Sequence, residues 1–162
     1  MTPRLPLCPM PLALALALLV STSVRAADLS FVPDAPVVRL DEIGLYAVGY
    51  RLKGGERRRM PDGWTGFFTE DTGIACQPAG RQNGRSAFLL HSPWRRGVGV
   101  VFQEFTVRLP RARSIRLTGA TAMRSDVVDK SDGATFRVWV DGQLAMDEHR
   151  ADAVWRTHDI DL

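Results

Sequence analysis

Alternation of apolar and polar side chains is the dominant pattern along this chain, and it is clearest near the carboxyl end. Phe136, Val138 and Val140 occupy alternate positions, and Asp141-Gly142 follows them directly. Alternation that ends in Asp-Gly predicts a β-hairpin, because both turn residues readily adopt a positive φ. Trp139 is out of phase with its apolar neighbours, so it faces the opposite side of its sheet, towards a second layer or solvent.

Further strand-like segments recur at intervals of about 8–12 residues, a spacing typical of β-sandwiches and jelly rolls. Glycine, proline and aspartate separate them, with a hairpin tip predicted at Asn83-Gly84, and helical periodicity is absent beyond the amino-terminal region. A change of parity near residues 102–104 predicts either a β-bulge or a strand that is buried on both faces. The predicted strands cover residues 37–52, 64–69, 87–91, 98–109, 115–119, 136–140, 144–147 and 154–162. We therefore expect an all-β sandwich of the jelly-roll type.

The first 26 residues have the composition of a secretory signal peptide. Arg4 provides a positive start, residues 12–20 form an apolar run, and Val24-Arg25-Ala26 offers small side chains for cleavage. The apolar run is shorter than the roughly 20 residues needed to cross a bilayer. We predict cleavage after Ala26, a secreted or periplasmic location, and a single domain without a membrane span over residues 27–162.

Charge and cysteine content narrow the function classes. The 162-residue chain carries 21 Lys and Arg against 18 Asp and Glu, and cleavage removes Arg4 and Arg25, which leaves the charge almost balanced. A balanced charge and an export signal argue against nucleic-acid binding. Cys76 is the one cysteine left after cleavage, so an internal disulfide is excluded. No local motif joins Cys76 to a histidine, and we expect an inert thiol.

Several segments of the second half resemble a known family. They are Gly99-Val-Val-Phe-Gln-Glu-Phe, Leu109-Pro110, the run from Ser131 to Gly142, Trp155 and the final Asp159-Ile-Asp-Leu. Over about residues 86–162 the chain resembles galactose-binding-like β-sandwich domains, most closely the accessory carbohydrate-binding modules of secreted bacterial proteins. In such domains more sheet follows the Asp-Leu strand. The resemblance therefore implies a fragment that lacks its last strands; the alternative is a shortened architecture.

One loop combines the side chains that a sugar-binding site requires. Sugar rings present apolar C–H faces and a rim of hydroxyls, which an aromatic platform and planar polar groups can bind. Trp94 offers the platform, while His91, Arg95 and Arg96 can reach hydroxyls or a carboxylate. The Trp64-Thr65-Gly66-Phe67-Phe68 stretch can supply a second aromatic, and we choose Trp64 as the candidate. In the alternative, the aromatic side chains of residues 64–68 are core and Trp94 caps the sandwich.

A second candidate is the acidic segment of Asp126, Asp129 and Asp132. Carboxylates at three-residue spacing, beside serine hydroxyls, can bind calcium through oxygen. Galactose-binding-like sandwiches often hold a structural calcium, so the resemblance implies the same here. The spacing is not that of an EF-hand loop, and Lys130 adds an opposing charge. In the alternative, these are ordinary turn residues that bond to nearby backbone amides. No other cofactor is expected.

Catalytic motifs are absent from the sequence. It contains neither a Gly-x-Ser-x-Gly elbow nor a His-Glu-x-x-His pair. A glycosidase needs two carboxyl groups, but the spacing of the candidates does not select a pair among Glu70, Asp71, Glu104 and Asp126. We therefore expect a secreted, non-catalytic module that binds carbohydrate or is accessory to a glycan-active protein. The alternative is a structural or interaction domain of a larger envelope or surface protein, without a small-molecule ligand.

Overall fold

The computed structural model describes residues 30–44, 46–112 and 114–162, and short β-strands joined by turns make up this part of the chain. The predicted signal peptide, residues 1–26, lies outside the described residues. A 3-10 turn at Val128–Lys130 is the one helical element described. The strands are β1 (Ser30–Phe31), β2 (Ala47–Leu52), β3 (Arg57–Arg59), β4 (Ala75–Gln82), β5 (Arg85–His91), β6 (Gly99–Glu104), β7 (Thr106–Val107), β8 (Arg116–Thr121), β9 (Ala134–Val140), β10 (Gln143–Arg150) and β11 (Arg156–Asp161).

The strands pair into several small, mostly antiparallel sheets. Strand β2 lies between β3 and β6, while β4 pairs with β5, β8 with β11, and β9 with β10. Strands β1 and β7 form a short parallel pair that joins Ser30 to Thr106. The prediction of an all-β fold is confirmed, and small sheets of this kind are compatible with a β-sandwich.

Both predicted hairpin turns are present. Asn83-Gly84 has φ angles of 46° and 83°, and Asp141-Gly142 has φ angles of 48° and 80°. Two consecutive positive φ angles match the right-handed twist of antiparallel strands, which explains the choice of Asn-Gly and Asp-Gly. In β9 the predicted alternation holds: Phe136 and Val138 are half-buried, whereas Trp139 is exposed on the other face, opposite Leu144 of β10.

Five segments differ from the predicted strands. The sequence predicts a loop over residues 73–85, but Ala75–Gln82 form strand β4, which pairs with β5. The strand expected from residue 37 begins only at Ala47, and the arginines of β3 pair with β2 inside an expected loop. Residues 64–69 form no strand, because Gly66 turns the chain at a φ of 84° and its carbonyl accepts a hydrogen bond from Cys76 N (2.9 Å). The bulge predicted near residues 102–104 is not seen in the pairing of β6 with β2, which is regular from Gly99 to Glu104, and strand 98–109 is interrupted at Phe105 instead.

The buried apolar residues of the described part of the chain lie at the start of β4. Ile74, Ala75 and Cys76 are buried there. Beside them, the ring of Tyr46 packs edge-on against Phe88 (centroids 6.0 Å apart) and at a tilt against Phe105 (5.5 Å). These aromatic contacts connect the start of β2, strand β5 and the β6–β7 break around one small core.

A polar cluster joins the β9–β10 hairpin to the β8–β11 pair. Arg150 is only 6% exposed, and its guanidinium donates to Asp152 Oδ1 (2.5 Å), Glu148 Oε1 (3.4 Å) and Val154 O (3.0 Å). Glu148 Oε2 lies 3.3 Å from His158 Nε2 on β11, and that nitrogen is 2.9 Å from Thr121 Oγ1 on β8. A charged group as deeply buried as the Arg150 guanidinium needs partners, and this cluster supplies them to both Nη atoms, whereas the buried Nε has no hydrogen-bond partner.

The tip of the β4–β5 hairpin contacts the carboxyl-terminal third of the chain. The Asn83 side-chain amide donates to the carbonyls of Met123 (3.1 Å) and Ala153 (2.8 Å). The Trp155 indole N–H lies 3.3 Å from Gln82 O and 3.2 Å from Asn83 O. These hydrogen bonds connect the β4–β5 hairpin to the described part of the chain that follows residue 115.

Candidate functional site

The predicted sugar-binding loop rests on a tight turn that leads into β4. Gly73 N donates to Thr69 O (2.9 Å), and Thr69 N donates to Ile74 O (3.0 Å). The hydroxyl of Thr69 also accepts from Ile74 N (3.1 Å) and lies 2.7 Å from the hydroxyl of Thr72. Thr72 and Gly73 are buried, so the turn presents a fixed backbone surface to the loop that follows β5.

Trp94 is held on this turn by its backbone and by its ring. The amides of Trp94 and Arg95 both donate to Thr72 O, at 3.0 and 3.2 Å. The indole lies directly on Gly73, where a Cβ would be 2.5 Å from Cδ1 of the ring. Gly73 also has a φ of 75°, so the position favours glycine on two grounds. The Trp94 side chain nevertheless remains 57% exposed, which is what a stacking platform requires.

Arg95 is fixed at the border of this platform. Its Nη1 donates to the backbone carbonyl of Glu70 (2.6 Å), and its guanidinium carbon lies 5.0 Å from the Trp94 ring centroid. This is a cation–π arrangement, and it leaves the remaining N–H donors of the guanidinium for a ligand. Arg96 is exposed and has no ion pair among the described residues.

His91 ends β5 next to a second aromatic side chain. Its ring lies 5.1 Å from that of Phe68 at 71°, and its Nδ1 is 2.9 Å from Ser92 O. Since a carbonyl can only accept, Nδ1 carries the proton and Nε2 is the acceptor in the neutral ring. Phe68 is about half-exposed and Phe67 more so. The two phenylalanines extend the apolar surface of this part of the molecule.

The structure thus brings together Trp94 and Arg95 on one turn and places His91 beside Phe68. Trp64 lies in the same irregular segment as Phe68 but is half-buried, and its backbone N donates to Pro61 O (3.2 Å). Phe68, not Trp64, is the aromatic of that segment that contacts His91. The sequence named this stretch as a source of a second aromatic, but its spacing could not select the residue.

The acidic segment is arranged as turns. Arg124 holds the Asp126 carboxylate with two hydrogen bonds, of 3.0 and 2.6 Å. Asp129 lies in the 3-10 turn, and the backbone carbonyl of Asp132 accepts from His149 Nε2 (3.0 Å). Within the described ranges, no group of three or more His, Cys, Asp or Glu side chains is placed to hold a metal ion. Calcium binding by Asp126, Asp129 and Asp132 stays a prediction.

The Cys76 thiol is set in the core beneath the site. Burial raises its pKa to about 12, while a hydrogen bond with Gln103 acts in the opposite direction. A thiol needs to ionise to act as a nucleophile, so Cys76 stays protonated at neutral pH. The arrangement is that of a packing residue.

Comparison with protein-family models, with curated proteins and with solved structures gave no match to this chain. In residues 30–44, 46–112 and 114–162, no helix has the length and apolar character to span a membrane.

Proposed function

We propose that this protein is a secreted, non-catalytic binding module for carbohydrate, with the galactose-binding-like sandwich that its second half resembles. The observation that carries the proposal is the seating of Trp94. The indole rests on the Gly73 backbone, and the main-chain amide of Trp94 donates a hydrogen bond to Thr72 O. Trp94 still keeps 57% of its surface exposed. An immobilised aromatic ring binds a sugar face without a large loss of side-chain entropy.

Polar groups of the required kind belong to the same loop, and Arg95 lies beside the Trp94 ring. The free N–H groups of Arg95 and the side chain of His91 offer donors and an acceptor to hydroxyls. Phe68 adds apolar surface beside His91. A few directional polar groups around an apolar surface are the usual composition of a small-ligand site.

A glycan array followed by isothermal titration calorimetry tests the proposal. Removing a central aromatic anchor typically costs more than about 1 kcal/mol, so Trp94→Ala should weaken binding about fivefold or more. Trp139 provides a matched control, since it is 59% exposed on β9, outside this loop. Trp139→Ala should bind normally. An array without signal, or equal losses in both variants, would contradict the proposal.

One observation favours the second function, an interaction domain of a larger envelope or surface protein. Trp139 and Leu144 are paired across β9 and β10, and both are exposed. Adjacent exposed apolar side chains are more typical of a contact surface than of bulk surface. A photo-crosslinking residue at position 139, introduced in producing cells, should then give one discrete adduct. Position 94 should give none.

A further inference from the structure

An open groove of about 530 Å³ adjoins the Trp94 loop. It is lined by residues 51–55, at the end of β2, and by residues 98–100, at the start of β6. Lys53 N donates to Val98 O (2.9 Å), so a backbone hydrogen bond connects the two segments that line the groove. A Cβ on Gly99 would be 3.0 Å from Cγ of Pro93, so a residue that lines the groove lies beside the one that precedes Trp94.

The charged side chains along this groove are all basic. Arg51 and Lys53 line it, both are exposed, and neither forms an ion pair with a described residue. The neighbouring Arg57 differs, because it is paired with Glu104. No carboxylate lines the groove. A basic channel without internal counter-charge attracts anionic ligands.

The same charge continues past Pro93. Arg95 and Arg96 follow Trp94 directly. Neither arginine forms an ion pair with a described residue, and the one hydrogen bond of Arg95 to Glu70 goes to the backbone carbonyl, not to the carboxylate. The guanidinium of Arg95 therefore retains its capacity for a ligand carboxylate.

We propose that the groove and the Trp94 platform together bind a polysaccharide rich in carboxylate groups, of the polyuronic acid class. This rests on the carbohydrate-binding function proposed above and names its ligand class. One sugar ring stacks on Trp94, and neighbouring carboxylates along the chain reach Arg95 on one side and Arg51 and Lys53 in the groove. Guanidinium groups suit carboxylates because they can donate two parallel hydrogen bonds.

A polyuronic acid fits the surface better than a nucleic acid does. Single-stranded nucleic acids are bound by a series of aromatic rings along a basic track. This surface offers one seated indole beside its basic groove, not a series of rings. Single-stranded DNA is therefore the competing polyanion that the experiment includes.

The experiment compares polygalacturonate with the same polymer after complete methyl esterification, which keeps the backbone and removes the charge. We expect calorimetric binding to polygalacturonate that is at least about tenfold tighter than to the ester and that weakens about tenfold between roughly 0.05 M and 0.5 M salt. Binding should fall to a similar degree in the Arg51→Gln/Lys53→Gln variant. Arg111→Gln, an exposed arginine outside the groove, should bind normally.

Other outcomes separate this inference from the proposed function. Equal binding of both polymers would overturn the anionic specificity while leaving carbohydrate binding intact. A lack of binding to both polymers, together with binding to neutral glycans on the array, would also overturn the anionic specificity and leave carbohydrate binding intact. Silence on every glycan would overturn both proposals. Binding of single-stranded DNA as tightly as polygalacturonate would overturn the ligand class. Melting curves that match the unaltered protein show that each variant is folded, and Lys53→Gln alone replaces the double variant if it is not.

Discussion

The contact between Gly73 and the Trp94 indole makes a quantitative prediction. Replacing Gly73 by alanine introduces a Cβ that would lie 2.5 Å from Cδ1 of the ring, well inside van der Waals distance. The same substitution also places an L-residue at a φ of 75°. The two costs have different origins, and the structure provides a way to separate them.

Gly142 supplies the reference for the backbone cost. It has a φ of 80°, and a Cβ there would meet no atom within 4 Å. A non-glycine residue in this region costs about 1–2 kcal/mol, so Gly142→Ala should lower the free energy of unfolding by that amount. Forcing extra atoms into a filled contact adds about 1–3 kcal/mol. We therefore expect Gly73→Ala to cost about 2–5 kcal/mol in total.

Urea unfolding followed by circular dichroism measures both substitutions in two backgrounds, the unaltered chain and Trp94→Ala. Without the indole there is no ring to displace, so the cost of Gly73→Ala should fall to within about 0.5 kcal/mol of that of Gly142→Ala. The cost of Gly142→Ala should be the same in both backgrounds. An equal cost of Gly73→Ala with and without the indole would refute the seating of Trp94 on this turn.

Two further predictions concern buried groups. Asp152→Ala should lower the free energy of unfolding by about 2–3 kcal/mol, because it removes a carboxylate partner from the buried Arg150. Asp147→Ala removes the partner of Arg137 in an exposed pair and should cost about 0–1 kcal/mol. Urea unfolding measures both variants. Equal costs would contradict the buried pairing. The Cys76 pKa of about 12 predicts that iodoacetamide at about pH 8 alkylates the folded protein on the order of 1,000-fold more slowly than the urea-unfolded chain, whose thiol has a pKa of roughly 8.5. Because the native thiol keeps a proton that the unfolded chain releases, stability should also fall as pH rises from about 9 towards 12; rapid native alkylation would contradict both expectations.

Local chemistry accounts for the parts of the fold that the sequence predicts correctly. Asn83-Gly84 and Asp141-Gly142 turn where expected, since their backbone preferences need no distant partner. Strand β3 escapes prediction because its arginines have little intrinsic preference for strands and pair at the edge only because β2 is present. Residues 64–69 are rich in aromatics, yet the contact of Gly66 with Cys76 decides their path.

The candidate site shows the same division. Trp94 and its arginines are recognisable from residue types within one loop, because the chemistry of sugar binding is local. The contact between Gly73 and the Trp94 indole cannot be recognised in this way, because no residue near Gly73 in the sequence indicates which ring will lie on it. The choice of Phe68 over Trp64 beside His91 likewise depends on the geometry of the Gly66 turn.

The docking of the Asn83 hairpin tip has a consequence for the order of events during synthesis. Its partners, Met123, Ala153 and Trp155, emerge 40 to 72 residues later. The β4–β5 hairpin can form as soon as its own residues are available, but its tip stays undocked until residues 123–155 have been made. Pairings of such long range slow folding, because the intervening loop must close before any contact compensates for its lost entropy. Until then, none of the four hydrogen bonds at the tip can hold the first and last parts of the described fold together.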